Sequence, residues 1–312
     1  MSKMIVSIGE ALVEVMRPSV GVPLDREGTF VGPFASGAPA IFAVATARLG
    51  SPVRFIGSVG ADAFGRLMRD RLLTEKVEVD GLRTVPGYST GVAFVAYAPD
   101  GGREFVFHLR HSAAGVMDVE QVSPAYFVNA GWLHVSGSTL ALNEGCYEAC
   151  WRAVELIKAA GGRLSFDPNL RPELMPLEQA GKAFARFIEA ADLLVPTAGE
   201  AHALAGIADD DRAAQMLLGD GDKILVYKRG AAGCSVFTQT RRLDVPGFEV
   251  EEVDPTGAGD CFNAAFLVGL EEYWQLEQVA RFACAAGALA VTRQGPMEGA
   301  PTRDEVFRLM NK

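Results

Sequence analysis

The stretch Asp254-Pro-Thr-Gly-Ala-Gly-Asp260-Cys-Phe-Asn-Ala-Ala-Phe266 decides how the C-terminal part of this chain is expected to fold. The preceding residues, 248–253, mix apolar and acidic side chains and are predicted to form a strand. Gly257-Ala258-Gly259 predicts a tight turn of small residues, and the apolar run 261–270 predicts a buried helix. The sequence thus predicts a small-residue turn at a helix N-terminus, where free N–H groups and the helix dipole favour an anion.

Asp260 falls in the first turn of this predicted helix, beside the anion site. A carboxylate next to an anion suits a reaction in which a hydroxyl loses its proton, as phosphoryl transfer to an alcohol requires. The alternative is that Asp260 only caps the helix and that the glycines only form a turn. The stretch is not a Walker A loop, because no Gly-Lys-Ser/Thr follows the glycines. It is not a dinucleotide-binding fingerprint either, because Phe262 stands where that motif has its third small residue.

Composition limits the class of protein. The chain has 312 residues, of which 49% are hydrophobic and 22% charged, as expected for a globular enzyme with one large core. A net charge of −10 argues against nucleic acid as a partner. The five cysteines form no Cys-x-x-Cys pair and are interpreted as reduced thiols. No apolar run of about 18 residues and no signal peptide are found, so we expect no membrane partner and a cytoplasmic location.

Short apolar strands alternate with helices along most of the chain, which predicts an α/β fold with a mainly parallel central sheet covered on both faces. Strands are predicted at 5–8, 53–56, 132–135, 163–166, 193–195 and 223–226, and helices at 38–49, 64–76, 144–160, 177–190, 278–292 and 302–310. Two β-rich pieces, about 12–34 and 90–109, predict a small separate sheet inserted in a single domain spanning 1–312. Asp100-Gly101 predicts a hairpin turn within the second piece.

The 254–266 stretch closely resembles the C-terminal signature of the ribokinase-like (PfkB) carbohydrate kinases. Further matching motifs follow in family order: Gly9-Glu10, Ser36-Gly-Ala-Pro-Ala40, Gly57-Ser-Val-Gly60 and Lys228-Arg-Gly-Ala-Ala-Gly233. The resemblance covers essentially the whole chain. It implies a three-layer α/β/α domain and transfer of the ATP γ-phosphate to a sugar, with Mg²⁺ and, as in some relatives, a monovalent cation such as K⁺. It also implies that the small sheet is a lid over the sugar, and we expect a homodimer through this lid because its apolar face needs cover.

The resemblance implies roles for the residues around the turn. Asp260 would be the general base, and Gly257, Ala258 and Gly259 would supply backbone N–H groups to the transferring phosphate. Asp254 and Thr256 match positions that help hold a monovalent cation in relatives. For Asp254 alone, an ordinary turn residue is the alternative interpretation.

Two motifs resemble the nucleotide side of the family's site. Thr197-Ala-Gly-Glu200 aligns with an Asn-x-x-Glu pattern linked to Mg²⁺ and phosphate, although Thr197 replaces the Asn. From the residues alone the same pair is a capping box, and the two roles are compatible. We expect Mg²⁺ to be held mainly by water and the ATP phosphates. Lys228, Gly230 and Gly233 resemble the loop that lies against the nucleotide, and a plain hairpin turn is the alternative.

Six residues are candidates for contacts with the sugar: Glu10, Glu14, Gly37, Arg110, Asn169 and Arg171. Asn169 and Arg171 follow a predicted strand, so they lie at the carboxyl end of the sheet, where α/β proteins bind ligands. Arg171 could hold a phosphate or a carboxylate by a bidentate contact. Ile41 stands where relatives have a sugar-binding Asn, which implies altered recognition.

Two branches of the family compete for the substrate. Residues 110–114, 136–142 and 298–301 resemble 2-keto-3-deoxygluconate kinases, whereas 91–95 followed by 100–105 resemble fructokinases. We expect transfer to the terminal primary hydroxyl of a six-carbon keto sugar or keto sugar acid, with 2-keto-3-deoxygluconate ranked first and fructose or tagatose second. A nucleoside kinase ranks third. A non-catalytic sugar- or nucleotide-binding regulator is the alternative from another class, and the presence of Asp260 argues against it.

Overall fold

The computed structural model describes residues 2–99 and 102–312. Its strands are β1 (Met4–Ile8), β2 (Leu12–Met16), β3 (Val31–Ser36), β4 (Val53–Gly60), β5 (Glu78–Val85), β6 (Gly91–Tyr97), β7 (Arg103–His108), β8 (Ala130–Ser136), β9 (Arg163–Asp167), β10 (Leu193–Leu194), β11 (Ile224–Lys228), β12 (Cys234–Phe237) and β13 (Arg242–Val245). Its α-helices are α1 (Ala38–Arg48), α2 (Ala63–Thr74), α3 (Gly137–Leu140), α4 (Glu144–Ala159), α5 (Leu177–Ala190), α6 (Ala198–Ala205), α7 (Asp210–Leu218), α8 (Ala258–Glu271), α9 (Leu276–Ala290) and α10 (Arg303–Met310).

Nine strands form the central sheet in the order β13-β12-β11-β10-β9-β8-β1-β4-β5. The pairings from β11 through to β5 are parallel, whereas β12 and β13 pair antiparallel at one edge. Such a sheet must be covered on both faces, and this explains why every residue of β8 is buried.

Helices cover the two faces of the sheet in separate hydrophobic clusters. One cluster contains Phe42 of α1, Phe266 of α8 and Phe282 of α9, and the other contains Cys150 of α4 and Phe187 of α5. The molecule is therefore a three-layer α/β/α structure with a mainly parallel sheet, which confirms the fold class predicted from the alternating pattern. Within residues 2–99 and 102–312, no helix has both the length and the apolar character that a membrane span needs.

The two β-rich pieces form a second sheet, which we call the lid. Its strand order is β3-β2-β6-β7, with β2 and β6 parallel and the other two pairs antiparallel. Strands β6 and β7 pair from Val92 with His108 to Tyr97 with Arg103, as the two arms of a hairpin. The predicted Asp100-Gly101 turn lies outside the described residues.

The prediction of a strand at residues 248–253 is wrong. The structure has an irregular segment there, after the edge strand β13. A cavity beside α8 is lined by residues of this segment: Phe248, Glu249, Val250 and Glu252. Their alternating apolar and acidic side chains therefore belong to a cavity wall, although the alternation resembles that of a strand in a sheet. Strand β5 was not predicted because its charged sequence, Glu78-Val-Asp-Gly-Leu-Arg-Thr-Val85, leaves most of its residues partly or fully exposed at the sheet edge.

Candidate active site

Two cavities meet at the turn formed by residues 257–259. The first, which we call the lid cavity, lies between the lid and the carboxyl ends of the sheet strands; its lining includes Glu10, Glu14, Gly37, Arg103, Phe105, Ser138, Asn169, Arg171, Gly257 and Asp260. The second, the helix cavity, measures about 560 Å³ and lies beside the N-terminus of α8; its lining includes Lys228, Gly230, Gly233, Phe248, Val250, Ala258, Gly259, Phe262, Cys284 and Val291. A ligand in each cavity would approach the turn from opposite sides.

The turn needs glycine at its first position. Gly257 has a left-handed backbone, with φ of 82°, and a Cβ built on it would lie 2.3 Å from the carbonyl oxygen of Pro296. Gly257 is also the N-cap of α8, and among the described residues no side chain caps this helix. The first N–H groups of α8 therefore stay available to an anion, as the sequence predicted.

Asp260 lies in the first turn of α8 and lines the lid cavity. Asp260 is half-buried. Desolvation, followed by the nearby charge of Asp167, raises its pKa to about 8, against the smaller lowering by Lys228 and Arg171. A carboxylate with a pKa in this range is a stronger base than an ordinary aspartate, which suits proton abstraction from a hydroxyl.

Lys228 lines the helix cavity and is held by two buried polar side chains. Its Nζ lies 2.6 Å from Oδ2 of Asp167 and 3.4 Å from the side-chain oxygen of Asn263, and the Asn263 amide donates to the same Asp167 oxygen at 2.6 Å. A Cβ built on Gly259 would be 3.5 Å from Nζ, so the ammonium group lies beside the turn. The sequence placed Lys228 on the nucleotide side but did not identify Asp167 and Asn263 as the groups that hold it.

Glu10 and Glu14 both lie buried at the wall of the lid cavity. They differ in how many hydrogen bonds their carboxylate oxygens accept. Glu10 accepts hydrogen bonds from Ser138, at 2.8 Å, and from Thr139, and burial raises its pKa. Glu14 accepts one bond from Ser36 at 3.1 Å, whereas its Oε1 has no partner among the described residues. Burial raises the pKa of Glu14 to about 7. A buried carboxylate oxygen without a donor suits a ligand hydroxyl.

The loop after β9 brings Asn169 and Arg171 into the lid cavity, as predicted. The Asn169 amide donates to Ser136 Oγ at 3.0 Å, and its backbone N–H donates to Asp167. The guanidinium groups of Arg171 and Arg103 lie 6.0 and 5.5 Å from the ring centre of Phe105, so two cations flank one aromatic side chain of the lid. Sequence analysis missed Arg103, although its place in the lid strand after Gly102 was a signal.

Gly37 lines the lid cavity, as predicted, in a backbone conformation that favours glycine. Its φ is 108°, and a Cβ there would lie 2.4 Å from the carbonyl oxygen of Glu10. The structure does not bring Arg110 to this cavity. The Arg110 guanidinium donates to the carbonyl oxygens of Ala141 and Leu174 and lines a different surface cavity.

Thr197 and Glu200 form the capping box of α6, which is the interpretation that their spacing alone supports. The Glu200 carboxylate accepts the Thr197 N–H at 2.7 Å and, with its other oxygen, the Leu170 N–H at 2.7 Å. It therefore fixes the loop that carries Asn169, but it lines neither cavity and is not brought together with Asp254 and Thr256. Each Glu200 oxygen accepts one backbone N–H, so this carboxylate orders the start of α6 and the loop after β9. A role for Glu200 toward Mg²⁺ stays a prediction.

Asp254 and Thr256 are buried just before the turn. The Asp254 carboxylate accepts hydrogen bonds from the Tyr97 hydroxyl at 2.8 Å, from the Thr256 N–H at 3.0 Å and from the Gly295 N–H at 2.8 Å. A carboxylate has about four lone-pair sites, so one is left for a cation. Within the described part of the chain, no cluster of three or more His, Cys, Asp or Glu side chains could hold a metal ion.

Known proteins resemble this chain along nearly its whole length. The family model of the pfkB family carbohydrate kinases matches residues 2–303. The chain belongs to this family. This PfkB-family protein is thus a carbohydrate kinase, a phosphotransferase. It is 35% identical to Fructokinase-2 of Solanum lycopersicum over 319 residues, which cover 99% of this chain and 96% of that protein.

Solved structures resemble this PfkB-family kinase over its whole length. A protein from Escherichia coli crystallised with ATP and Mg²⁺ is 37% identical, with a TM-score of 0.92 and coverage of 100% of this chain and 99% of the other. Fructokinase from Vibrio cholerae, crystallised with fructose, ADP and a calcium ion, is 28% identical, with a TM-score of 0.86 and coverage of 99% of both chains. A double mutant of the same fructokinase has been crystallised with a potassium ion.

Proposed function

We propose that this kinase transfers the γ-phosphate of ATP to the terminal primary hydroxyl of a six-carbon keto sugar, with fructose as the first substrate to test. The observation that carries the proposal is the position of Asp260. It lines the lid cavity next to the turn, and the helix cavity lies on the other side of the same turn. A hydroxyl in the lid cavity and a phosphate at the turn would then meet at this carboxylate.

The chemistry assigned to the site is an in-line displacement. Asp260 takes the proton of the sugar hydroxyl while the hydroxyl oxygen forms a bond to the γ-phosphorus. The bond between the γ-phosphorus and the oxygen that bridges it to the β-phosphate breaks, and ADP leaves. The N–H groups at the start of α8 and the ammonium group of Lys228 stabilise the charge that develops on the phosphoryl oxygens. Mg²⁺, held by the ATP phosphates and water, would neutralise phosphate charge when bound.

The helix cavity is assigned to ATP. Gly230 and Gly233 border it, so a nucleotide can lie against their backbone, and Phe248, Val250 and Phe262 offer apolar surface to a base. Lys228 reaches from this cavity toward the turn, where phosphates are expected. The Vibrio cholerae fructokinase binds ADP, and the Escherichia coli protein binds ATP with Mg²⁺, which supports this assignment.

Glu14 supports a sugar rich in hydroxyls as the ligand of the lid cavity. Its Oε1 is buried without a partner among the described residues, and a sugar hydroxyl would satisfy it. Fructokinases are prominent among the relatives, and this reverses the order of substrates ranked from the sequence. Ile41 also lines the cavity and offers no polar contact.

A keto sugar acid such as 2-keto-3-deoxygluconate is the second candidate. Arg103 and Arg171 both line the lid cavity and flank Phe105, so a substrate carboxylate could bind between two guanidinium groups. The negative Glu14 carboxylate in the same cavity opposes such a ligand, which is why the neutral sugar ranks first.

We also infer a homodimer through the outer face of the lid. Val106 of β7 is 44% exposed there, and Val92 and Phe94 of β6 line a shallow surface cavity beside it. A second copy would cover this apolar face. Sedimentation of the protein and of a Val106→Glu variant tests this: the variant should shift toward the monomer, and a monomeric parent protein would contradict the inference.

The proposed function is tested by ADP release from Mg-ATP with fructose, tagatose and 2-keto-3-deoxygluconate, with ribose and adenosine as controls for other branches. Turnover with fructose or tagatose supports the first proposal, and turnover with 2-keto-3-deoxygluconate alone selects the second. Binding of ATP and sugar without any turnover across the panel would favour a non-catalytic regulator.

A further inference from the structure

Tyr97 joins the lid to the residues that build the turn. It is the last residue of β6, and its hydroxyl lies 2.8 Å from Oδ1 of Asp254 and 3.2 Å from Oγ1 of Thr256. The Asp254 and Thr256 residues are 157 and 159 positions further along the chain. The contact is thus a long-range link between the sugar side and the phosphate side of the site.

The Asp254 carboxylate holds three segments together. Its Oδ1 accepts the Tyr97 hydroxyl and the Thr256 N–H, and its Oδ2 accepts the Gly295 N–H. Gly257 packs against Pro296, the residue after Gly295, because a Cβ built on Gly257 would lie 2.3 Å from the carbonyl oxygen of Pro296. A change in the position of Asp254 would therefore be passed on to the turn and to the first N–H groups of α8.

The Tyr97 hydroxyl is suited to be a permanent donor in this network. Burial is the main cause that raises its pKa above the usual value, and the neighbouring carboxylates of Asp254 and Glu14 raise it further. The phenol consequently keeps its proton at neutral pH. In the contact between the Tyr97 and Thr256 hydroxyls, either oxygen can donate, so Thr256 can supply that hydrogen bond while Tyr97 donates to Asp254.

We propose that Tyr97 is a positioning residue, which orders the phosphate-binding turn through Asp254 when the lid lies over the sugar. This inference rests on the proposed kinase function and deepens it. It makes the ability of the turn to bind phosphate depend on the position of the lid. Tyr97 does not line the lid cavity, so its removal should affect the chemical step more than the affinity for sugar.

The first test is kinetic, with Tyr97→Phe and the matched variant Tyr88→Phe. Tyr88 lies shortly before β6 and is 44% exposed, so its hydroxyl should not matter. We expect Tyr97→Phe to lower kcat about tenfold or more, the effect of losing a hydrogen bond to a charged group, with KM for the sugar changed less than about twofold. An unchanged kcat, or a rise in KM alone, would overturn the proposal.

A double-variant cycle tests whether Tyr97 acts through Asp254. If it does, adding Tyr97→Phe to Asp254→Asn should lower kcat little beyond Asp254→Asn alone, whereas independent residues would give multiplied losses. Multiplied losses would contradict the proposed route.

Hydrogen exchange of the backbone amides provides a readout that needs no turnover. Tyr97→Phe should speed exchange in residues 254–260, while Tyr88→Phe should leave it unchanged. Unchanged exchange in Tyr97→Phe would overturn the inference even in an active enzyme. A parent protein that turns over no sugar would show that the proposed function is wrong. If amide exchange at 254–260 is nevertheless faster in Tyr97→Phe, the coupling between Tyr97 and the turn still holds.

Discussion

Lys228 Nζ lies 2.6 Å from Oδ2 of Asp167, so a buried ion pair connects the nucleotide side of the turn with the loop that carries Asn169 and Arg171. The Lys228 side chain is 12% exposed and that of Asp167 4%. Burial alone would raise the pKa of Asp167, yet Lys228, helped by Asn263, lowers it below the usual value. The pair therefore holds Lys228 in place beside the turn while no phosphate is bound.

Breaking this pair from one side should destabilise the protein. Lys228→Met leaves a buried charge without its partner, and we expect a loss of about 3–5 kcal/mol in the free energy of unfolding. The double variant Lys228→Met with Asp167→Asn should recover part of that loss, because no unpaired charge remains. Urea unfolding of the parent protein and the two variants measures these losses, and a double variant less stable than Lys228→Met would contradict the account. Because the folded pKa of Asp167 is lowered, this stabilisation should fade as the pH falls below about 4.

Activity should rise with pH through the neutral range. Asp260 must be ionised to accept a proton, and its pKa in the free protein is raised to about 8, chiefly by burial. The logarithm of kcat/KM should therefore climb with a slope of about one between pH 7 and pH 8 and level off above pH 8. A profile that is flat from pH 6 to 9, measured at saturating Mg-ATP, would show that Asp260 does not act as the base.

Glu14 should add a second ionisation at lower pH. Its pKa is raised to about 7 by burial, and the ionised form is the acceptor of a sugar hydroxyl, so KM for the sugar should fall as the pH rises through 7. Glu14→Gln should raise KM about tenfold and remove this dependence on pH, since it replaces a charged hydrogen-bond acceptor. Glu27→Gln, at an exposed position, is the matched control and should change neither. An unaltered KM in Glu14→Gln would remove Glu14 from the sugar site.

Gly257 should be intolerant of any side chain. Gly257→Ala places a Cβ 2.3 Å from the Pro296 carbonyl oxygen in a left-handed backbone, whereas Gly161→Ala has a similar φ of 75° with no atom within 4 Å. The control should lose only about 1 kcal/mol of stability through backbone strain and keep its activity. Gly257→Ala should lose more stability and most of its kcat. Equal effects of the two substitutions would mean that the close packing of the turn has no functional role.

The sequence was most informative where function depends on neighbours along the chain. The 254–266 stretch alone predicted the turn, the start of α8 and the place of Asp260 beside free N–H groups. The alternation of strands and helices predicted the parallel sheet, since the period of apolar residues reports burial on both faces. The lid strands were equally visible, since β6 and β7 both lie within the predicted β-rich piece 90–109.

What the sequence could not supply are contacts between residues far apart in the chain. The partners of Lys228 lie 61 and 35 positions away, and Tyr97 meets Asp254 across 157 positions, so no local pattern reports them. Glu200 shows another limit of the sequence, because its spacing from Thr197 fits both a capping box and a metal motif. Its hydrogen bonds to two backbone N–H groups confirm the capping box, and the metal role stays a prediction.

The most direct test of the central claim is turnover by Asp260→Asn, measured as ADP release with the preferred sugar, beside calorimetric binding of ATP and sugar to the same variant. Asparagine keeps the size of the side chain and cannot take the proton. The account predicts that kcat falls about 10²–10⁴-fold while both ligands still bind with nearly unchanged affinity. Turnover close to that of the parent protein would contradict the assignment of Asp260 as the base and, with it, the mechanism proposed for this site.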